Sequence, residues 1–362
     1  MRLLIVLACC VVMMGCKSAR QAAVERSLPP RTFDILLTLE VDGFAAQDVM
    51  LILPGEEQPV RAIKINEQQY RLKGETDAPL PAAAFLVMPP MQSPMYIGVE
   101  NQRMEVRLSY ATLSSSAKGS LTLKSGRVYN LHHKGSFDDA NLNRIQELLP
   151  YGPDKPIIAR LHKRLTRLAT LHPDHPSTGY YVAEYLQVMG QCIDYDKFSS
   201  LYDLLQLDAY PQPISVQIEA GRQRLYYSQG NRPMPEFQLQ DASGNVYRRS
   251  DLDDSLTLYT FWEPGNPYNA ERNAQNMAFY ESYADKRYTL VFVTTDSTDL
   301  WQQELEVTSG ERVYRLRDVD GVLSRELGIN GVGNVVVDDR SRIIAFDATT
   351  DLLAELASKY LD

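Results

Sequence analysis

Thiols are the side chains here best suited to redox chemistry, and their placement restricts what they can do. The chain has four cysteines: Cys9, Cys10, Cys16 and Cys192. Everything after residue 16 therefore holds Cys192 alone. Thiol–disulfide exchange needs one thiolate to attack a disulfide sulfur and a second thiol to resolve the mixed disulfide. A single sulfur cannot close that cycle within the chain, nor can it form an intramolecular disulfide. Cys192 lies in the helical-looking stretch YVAEYLQVMGQCIDYD. The expectation there is a small buried hydrophobe. The nearby Asp194 and Asp196 disfavour the lowered pKa that a peroxidatic or sensor thiol needs.

Other chemistry-bearing groups are isolated. His132 and His133 are adjacent, and adjacent side chains in a strand point to opposite faces. His172 and His175 lie with Asp174 in LHPDHPST, which reads as a solvated junction between helices. Asp338 and Asp339 read as turn acids. Asp318 and Asp320 lack the acidic ladder of a calcium loop. Ser297 and Thr298 have no convincing His-and-acid partner set. No P-loop, dinucleotide fingerprint or HExxH string occurs, so no metal and no cofactor is expected. With 37 Lys and Arg against 46 Asp and Glu, the net charge is −9. A groove for a nucleic-acid backbone is disfavoured, because phosphate binding wants positive surface. Hydrophobic residues at 44% and charged ones at 23% exclude a wholly disordered chain. A length of 362 residues suggests two or three domains.

Residues 3–15 read LLIVLACCVVMMG behind Arg2, a short apolar run of the export-signal kind and too short to span a membrane. The run ends in Gly15-Cys16, and Lys17, Ser18, Arg20 and Gln21 open a polar stretch. A small residue before a cysteine at the end of such a run resembles the lipobox of bacterial lipoproteins, with Met13-Met14 in place of the usual Leu and small residue. The resemblance implies a signal peptide over 1–16, lipidation of Cys16 and a tether over 17–29. It also implies attachment to a membrane through the lipid, in the cell envelope. Attachment to the outer membrane facing the periplasm is the expectation, with surface exposure as the alternative.

The elements come in three groups. Phe33, Ile35, Leu37, Leu39 and Val41 alternate, as do Val49, Leu51 and Leu53. Further short strands are expected around 60–65, 69–73, 83–88, 95–100, 104–108 and 121–128. Together they predict a β-sandwich-like domain over 30–130. Over 138–229 the period changes. Ile157, Ile158, Leu161, Leu165 and Leu168 recur as on one helix face. Helices are expected at 179–190, capped by Ser177 or Thr178, and at 195–206 and 213–227. These make a helical connector. Over 234–362 the expected order is α/β: a strand beginning at Phe237 and Leu239, strands at 256–262, 290–294, 334–337 and 342–346, and helices at 270–285, 297–305, 321–328 and 350–360.

This last segment resembles the thioredoxin-like fold, in the branch related to TlpA and alkyl hydroperoxide reductase. Met234-Pro235-Glu236-Phe237, Leu239, Asp241 and Gly244 look like that family's opening. FWEPGNPYN, from Phe261 to Asn269, falls where relatives carry Phe-Trp-Asp-Pro-x-Cys-x-x-Cys. Asn266 and Asn269 stand at both redox cysteine positions. Leu327-Gly328-Ile329 through Val332-Gly333-Asn334 resembles the later segment with a cis-proline. Gly333 takes the proline position and Asn334 the usual threonine. Loss of proline predicts a trans bond before residue 333. The strings Met95–Asn101 and Gly119-Ser120 look like the β-domain of Bacteroidetes-type lipoproteins that join a β-rich domain, a helical connector and a thioredoxin-like domain.

The resemblance implies a redox-inactive thioredoxin-like domain, since a carboxamide neither attacks a disulfide nor resolves one. Asn266 is expected to cap the following helix, with Pro267 early in it and Asn269 in its first turn. Trp262, Tyr268, Gly333 and Asn334 form a possible groove for an extended peptide or small polar ligand. The leading expectation is binding or scaffolding with an envelope protein or peptide as partner. One alternative is a thiol oxidoreductase or peroxidase using Cys192 or a partner's cysteine. Another is a peptide- or carbohydrate-binding lipoprotein using the β-domain.

Overall fold

A computed structural model describes residues 31–40, 48–53, 55–77, 79–89, 95–112, 127–134, 138–229, 231–298, 300–301 and 310–361. The signal peptide, the lipidation position Cys16 and the tether lie outside the described residues. The chain divides into two units, Met1–Met189 with Leu201–Ser215, and Gly190–Ser200 with Val216–Asp362. The helical stretch 138–229 is thus shared between them.

Among the described residues, the first unit opens with nine strands: β1 (Thr32–Glu40), β2 (Met50–Ile52), β3 (Val60–Arg61), β4 (Ile63–Lys64), β5 (Gln69–Glu75), β6 (Ala82–Val87), β7 (Met95–Val99), β8 (Arg103–Thr112) and β9 (Arg127–Lys134). They form a five-stranded sheet, β4-β5-β1-β8-β9, and a four-stranded one, β3-β2-β6-β7. Phe33, Ile35, Leu37 and Leu39 alternate along β1, and all are buried. They pack with Leu51, Leu86, Ile97 and Val106 in a cluster drawn from both sheets. Period-two burial of this kind fixes register, because a one-residue slip would turn every apolar side chain outward.

Helix α1 (Asp139–Leu148) closes the edge of the first sheet. Asn143 pairs with the His133 backbone as a neighbouring strand would. Its Oδ1 accepts from the His133 amide at 2.7 Å, and its Nδ2 donates to the carbonyl at 2.9 Å. The side chain of His133 is buried and that of His132 is half-buried. Helix α2 (Lys155–Leu171) buries Ile157, Leu161, Leu165 and Leu168. Helix α3 runs over Pro176–Met189, three residues earlier than the sequence suggests. Pro176 is its first residue, where a missing N–H costs little. Ser177 and Thr178 therefore lie in the first turn. Ser177 Oγ accepts from the Tyr96 hydroxyl at 3.2 Å, and Thr178 Oγ1 donates to the His172 carbonyl at 2.8 Å. His175 is held at the junction, its Nδ1 accepting from the Ser177 amide at 3.2 Å.

Two further helices follow, α4 (Tyr195–Tyr202) and α5 (Gln212–Ser228). In the second unit come β10 (Gln238–Gln240), β11 (Val246–Arg248), the short α6 (Arg249–Leu252), β12 (Leu256–Phe261), α7 (Pro267–Ser282), β13 (Tyr288–Thr294), β14 (Val313–Arg317), α8 (Val322–Glu326), β15 (Gly333–Asp338), β16 (Ile343–Phe346) and α9 (Thr350–Tyr360). The sheet order is β11-β10-β14-β13-β12-β15-β16. Strands β12, β13 and β14 are parallel, whereas β15 runs antiparallel to β12.

Every residue of β12 and β13 is buried, as their continuous apolar runs require. Leu258, Leu290 and Phe292 pack with Phe279 of α7 and Leu353 of α9. Tyr259, Val291 and Val293 join another cluster, with Tyr227 of α5 and Leu323 of α8. Strands β11 and β14 were not expected. In β14 only Leu316 is buried, between Arg315 and Arg317, so the strand carries little apolar pattern. The expected helix at 297–305 lies largely outside the described residues.

Candidate functional site

The site is built where the buried strand β12 runs out. The Trp262 amide still donates to the Val293 carbonyl at 3.0 Å, continuing the sheet by one residue. Glu263-Pro264-Gly265 then turns the chain, with Gly265 at φ 75°. The Glu263 carbonyl gathers the turn. It accepts from the Asn266 amide at 3.3 Å and from Nδ2 of Asn269. Asn266 immediately precedes Pro267, the first residue of α7, and its carbonyl accepts from the Asn269 amide at 3.0 Å. The residues at the two expected redox positions thus lie across one turn at the start of a helix. The bonds around them are those of carboxamides and backbone.

Beyond the turn, α7 carries asparagine on its inward side. Asn269 and Asn276 are buried, and Asn276 Nδ2 donates to Thr260 Oγ1 at 3.2 Å. Trp262 Nε1, Asn269 Oδ1 and Asn273 Oδ1 are buried with no hydrogen-bond partner among the described residues. Buried polar atoms are normally paired, so one unmatched donor and two unmatched acceptors leave bonding capacity at this end of β12, as the hydroxyls of Tyr259 and Tyr288 do elsewhere. The run of asparagines at 266, 269, 273 and 276 was visible in the sequence as helical spacing. Its inward face was not.

Trp262 also lines a cavity of 390 Å³ with Phe261, Val293, Thr295, Asp320 and Arg325. It lies outside the carboxyl ends of the parallel strands, the usual crevice for ligands in open α/β sheets. The expected groove is therefore redrawn. Gly333 and Asn334 are buried at the start of β15 and do not line this cavity. Asn334 is engaged by the backbone of Ala348 through both atoms of its carboxamide. Tyr268 belongs to α7, and its side chain lies outside the described residues. The Glu263 carboxylate lies over Gly331, where a Cβ would come within 2.9 Å of Oε1.

The bond before Gly333 is trans, since Leu80–Pro81 is the cis peptide among the described residues. Gly333 keeps an ordinary φ, so crowding rather than conformation marks the position. A Cβ there would lie 3.3 Å from Ile329 Cγ2 and 3.4 Å from Asp347 Oδ1. The acids of the neighbouring loops are structural. Buried Asp318 accepts from the Ser324 amide at 2.8 Å and hydroxyl at 2.9 Å, fastening the first turn of α8. Asp338 is buried rather than solvated and accepts from the Arg340 and Arg342 amides at 3.0 and 2.8 Å.

Cys192 departs from expectation. It is exposed, at the end of a one-turn 3-10 segment, Gly190–Cys192. Gly190, at φ 46°, follows the last residue of α3 and redirects the chain. The neighbouring Ile193 takes the buried place instead. In the first unit, a cavity of 510 Å³ opens on the five-stranded sheet, lined by Asp34, Leu36, Arg71, Arg103, Glu105 and Lys134. Its charges pair across strands. Arg71 donates twice to Asp34 at 2.8 and 2.6 Å, and Lys134 pairs with Glu105 at 2.9 Å. The hydrogen bond from Arg71 holds the Asp34 carboxyl below its usual pKa.

No protein-family model matches the chain, and no curated protein matches it. Among solved structures, it is similar to the thioredoxin domain of a thiol-disulfide oxidoreductase from Bacteroides vulgatus. That similarity covers 36% of this chain and 97% of the other, at 21% identity and a TM-score of 0.32. Similarity to a thiol:disulfide interchange protein from a Bacteroides species covers 37% and 91%, at 21% identity and a TM-score of 0.32. A thioredoxin-like protein from Bacteroides caccae is matched over 57% of this chain and 83% of its own, at 13% identity and a TM-score of 0.34.

Proposed function

We propose that this chain is a lipid-anchored envelope protein whose C-terminal unit keeps a thioredoxin-like frame and uses it for binding or scaffolding rather than for disulfide exchange. The observation that carries the reading is the pair Asn266 and Asn269 at the start of α7, with the Asn269 carboxamide bonded to the Glu263 carbonyl. Neither side chain can form a mixed disulfide, and no cysteine occurs anywhere from residue 193 to the end. The unmatched polar atoms of Trp262, Asn269 and Asn273 support a polar ligand or ordered water at the same end of β12. The partner is an envelope protein or peptide. The anchor is a lipid on Cys16, in the outer membrane facing the periplasm, and the two N-terminal sheets act as a β-sandwich-like domain.

The test is insulin reduction with dithiothreitol and peroxide turnover with a thiol donor, each with the wild-type chain and with Cys192→Ser. No turnover above buffer supports the reading. Turnover that disappears with Cys192→Ser defeats it. The exposure of Cys192 favours that second reading, a thiol enzyme working with a partner's cysteine. The charged cavity on the five-stranded sheet bears no aromatic stacking platform among its lining residues, which favours neither sugar stacking nor a carbohydrate ligand there.

A further inference from the structure

Three segments far apart in sequence bring two arginines to one aspartate beside Gly333. Arg224 comes from α5. That helix approaches closely because Gly328, at φ 67°, has no Cβ. A side chain there would run into the backbone of Ala220 and Arg224. Arg272 comes from α7, three residues beyond Asn269. Asp347 follows β16 in the left-handed region, at φ 45°. Asn334 holds it there. Asp347 donates its amide to the Asn334 carbonyl at 2.9 Å, and its Oδ1 accepts from the Asn334 amide at 3.3 Å.

The charges do not balance. Asp347 Oδ2 pairs with Arg224, whereas its Oδ1 stands 3.8 Å from Arg272 Nη2, an ion pair too long for a hydrogen bond. Arg272 has no other acid partner and donates no hydrogen bond among the described residues. Both side chains are largely withdrawn from water, 38% exposed for Arg224 and 28% for Arg272. Burial lowers the pKa of each guanidinium, and the charge of Arg272 adds to the effect on Arg224. Two half-buried cations thus share one carboxylate, leaving an excess positive charge in a chain of net charge −9. A guanidinium is a planar fork of five N–H donors that matches the oxygens of a carboxylate or phosphate. Asp347, locked in a sparsely populated backbone conformation, sets the spacing of the two forks and leaves donors of Arg272 open.

We infer that Arg224 and Arg272, spaced by Asp347, form an oxyanion-binding site that takes a carboxylate or phosphate group of the ligand. This deepens the binding reading of the same end of the second unit and rests on it. The anion would complete the coordination that Asp347 begins, lying against the Arg272 fork beside Gly333.

The experiment is calorimetric titration of the full chain with sodium phosphate and, separately, with sodium succinate, each against sodium chloride at equal ionic strength. Binding above the chloride control is expected for at least one of them. Phosphate alone points to a phosphoryl ligand and succinate alone to a carboxylate. Arg272→Gln and Arg224→Gln should each weaken it by about ten- to a hundredfold, the usual worth of a charge-assisted hydrogen bond. Asp347→Asn should tighten it, because the internal competitor is removed. A purely structural ion pair would not respond with that sign. Should Asp347→Asn fail to fold by circular dichroism, the two arginine variants carry the test. Heats equal to chloride for both anions, or affinity unchanged in the Arg224→Gln/Arg272→Gln double variant, would overturn the inference. The readout is independent of turnover. A chain that binds oxyanions yet reduces insulin loses the redox-inactive reading and keeps this site.

Discussion

Asn334 grips Ala348 through both atoms of its carboxamide: Nδ2 donates to the Ala348 carbonyl at 3.0 Å, and Oδ1 accepts from the Ala348 amide at 2.7 Å. Both residues are buried, so cutting the side chain back strands the Ala348 amide and carbonyl away from bulk water. Asn334→Ala should destabilise the chain by roughly 2–4 kcal/mol, the cost of leaving a buried donor and a buried acceptor unmatched. Asn334→Asp keeps the acceptor but sets a carboxylate against the Ala348 carbonyl, and should be worse at neutral pH. Urea unfolding of the three proteins checks the order. If Asn334→Ala unfolds within about 0.5 kcal/mol of wild type, an ordinary surface substitution effect, the clamp is dispensable.

Acid should weaken the first unit through His133. Burial lowers its pKa from 6.5 to about 4, and His132 contributes a smaller push in the same direction. Above the unfolded value both states are neutral at this position. As pH falls from 6.5 towards 4, the unfolded chain takes up a proton that the folded chain refuses. Stability is therefore present above 6.5 and lost through that window, by up to about 3 kcal/mol. His133→Leu removes the proton uptake but keeps the backbone pairing with Asn143. Its unfolding free energy, measured in urea from pH 7 to 4, should fall less steeply than that of wild type. Parallel profiles would mean that His133 titrates alike in both states. His175, pushed down to about 3 mainly by burial, contributes to both profiles and cancels in their difference.

What the sequence made legible follows from what each signal needs. Strand β1 shows itself because alternate residues, Phe33 to Leu39, must all reach one core, and strand β12 because both of its faces are covered. The start of α7 is legible from Pro267. Strand β14 is not, because only one of its five residues is buried. The exposure of Cys192 is not legible because apolar spacing carries past the end of α3, and only the left-handed turn at Gly190 releases the thiol to solvent. The turn residues Asn266 and Asn269, and Gly333 with Asn334, could be picked out from the string. The partner of Asn334 could not, since Ala348 lies across a strand pair. Least legible was the meeting of Arg224, Arg272 and Asp347. Each looks like an ordinary polar residue of its own segment, and only the close approach permitted by Gly328 brings the first of them in.

The asparagine pair can be tested by introducing sulfur. The Asn269 amide donates to the Asn266 carbonyl at 3.0 Å, so the two positions lie across one tight turn. Residues so joined have Cα atoms within about 7 Å, compatible with the 4.4–6.8 Å that a disulfide spans. Asn266→Cys/Asn269→Cys, made with Cys192→Ser, should therefore close an intramolecular disulfide on oxidation, read as the loss of two hydrogens by mass spectrometry. The cysteine at 266 stands at the N-terminus of a long helix, which favours its thiolate and hence its attack on a disulfide. Two thiols giving two electrons to an insulin disulfide would make the double variant a reductase with dithiothreitol as electron source. Either single variant lacks an internal resolving thiol, so dithiothreitol itself must release each mixed disulfide and turnover should fall well below that of the double variant. Losing the bond from Asn269 to the Glu263 carbonyl costs on the order of 1 kcal/mol, which still permits folding. Two thiols that stay open under oxidant, in a protein with an unchanged circular dichroism spectrum, would mean that this turn does not have dithiol geometry. The idea that these asparagines replace a redox pair would then have to be abandoned.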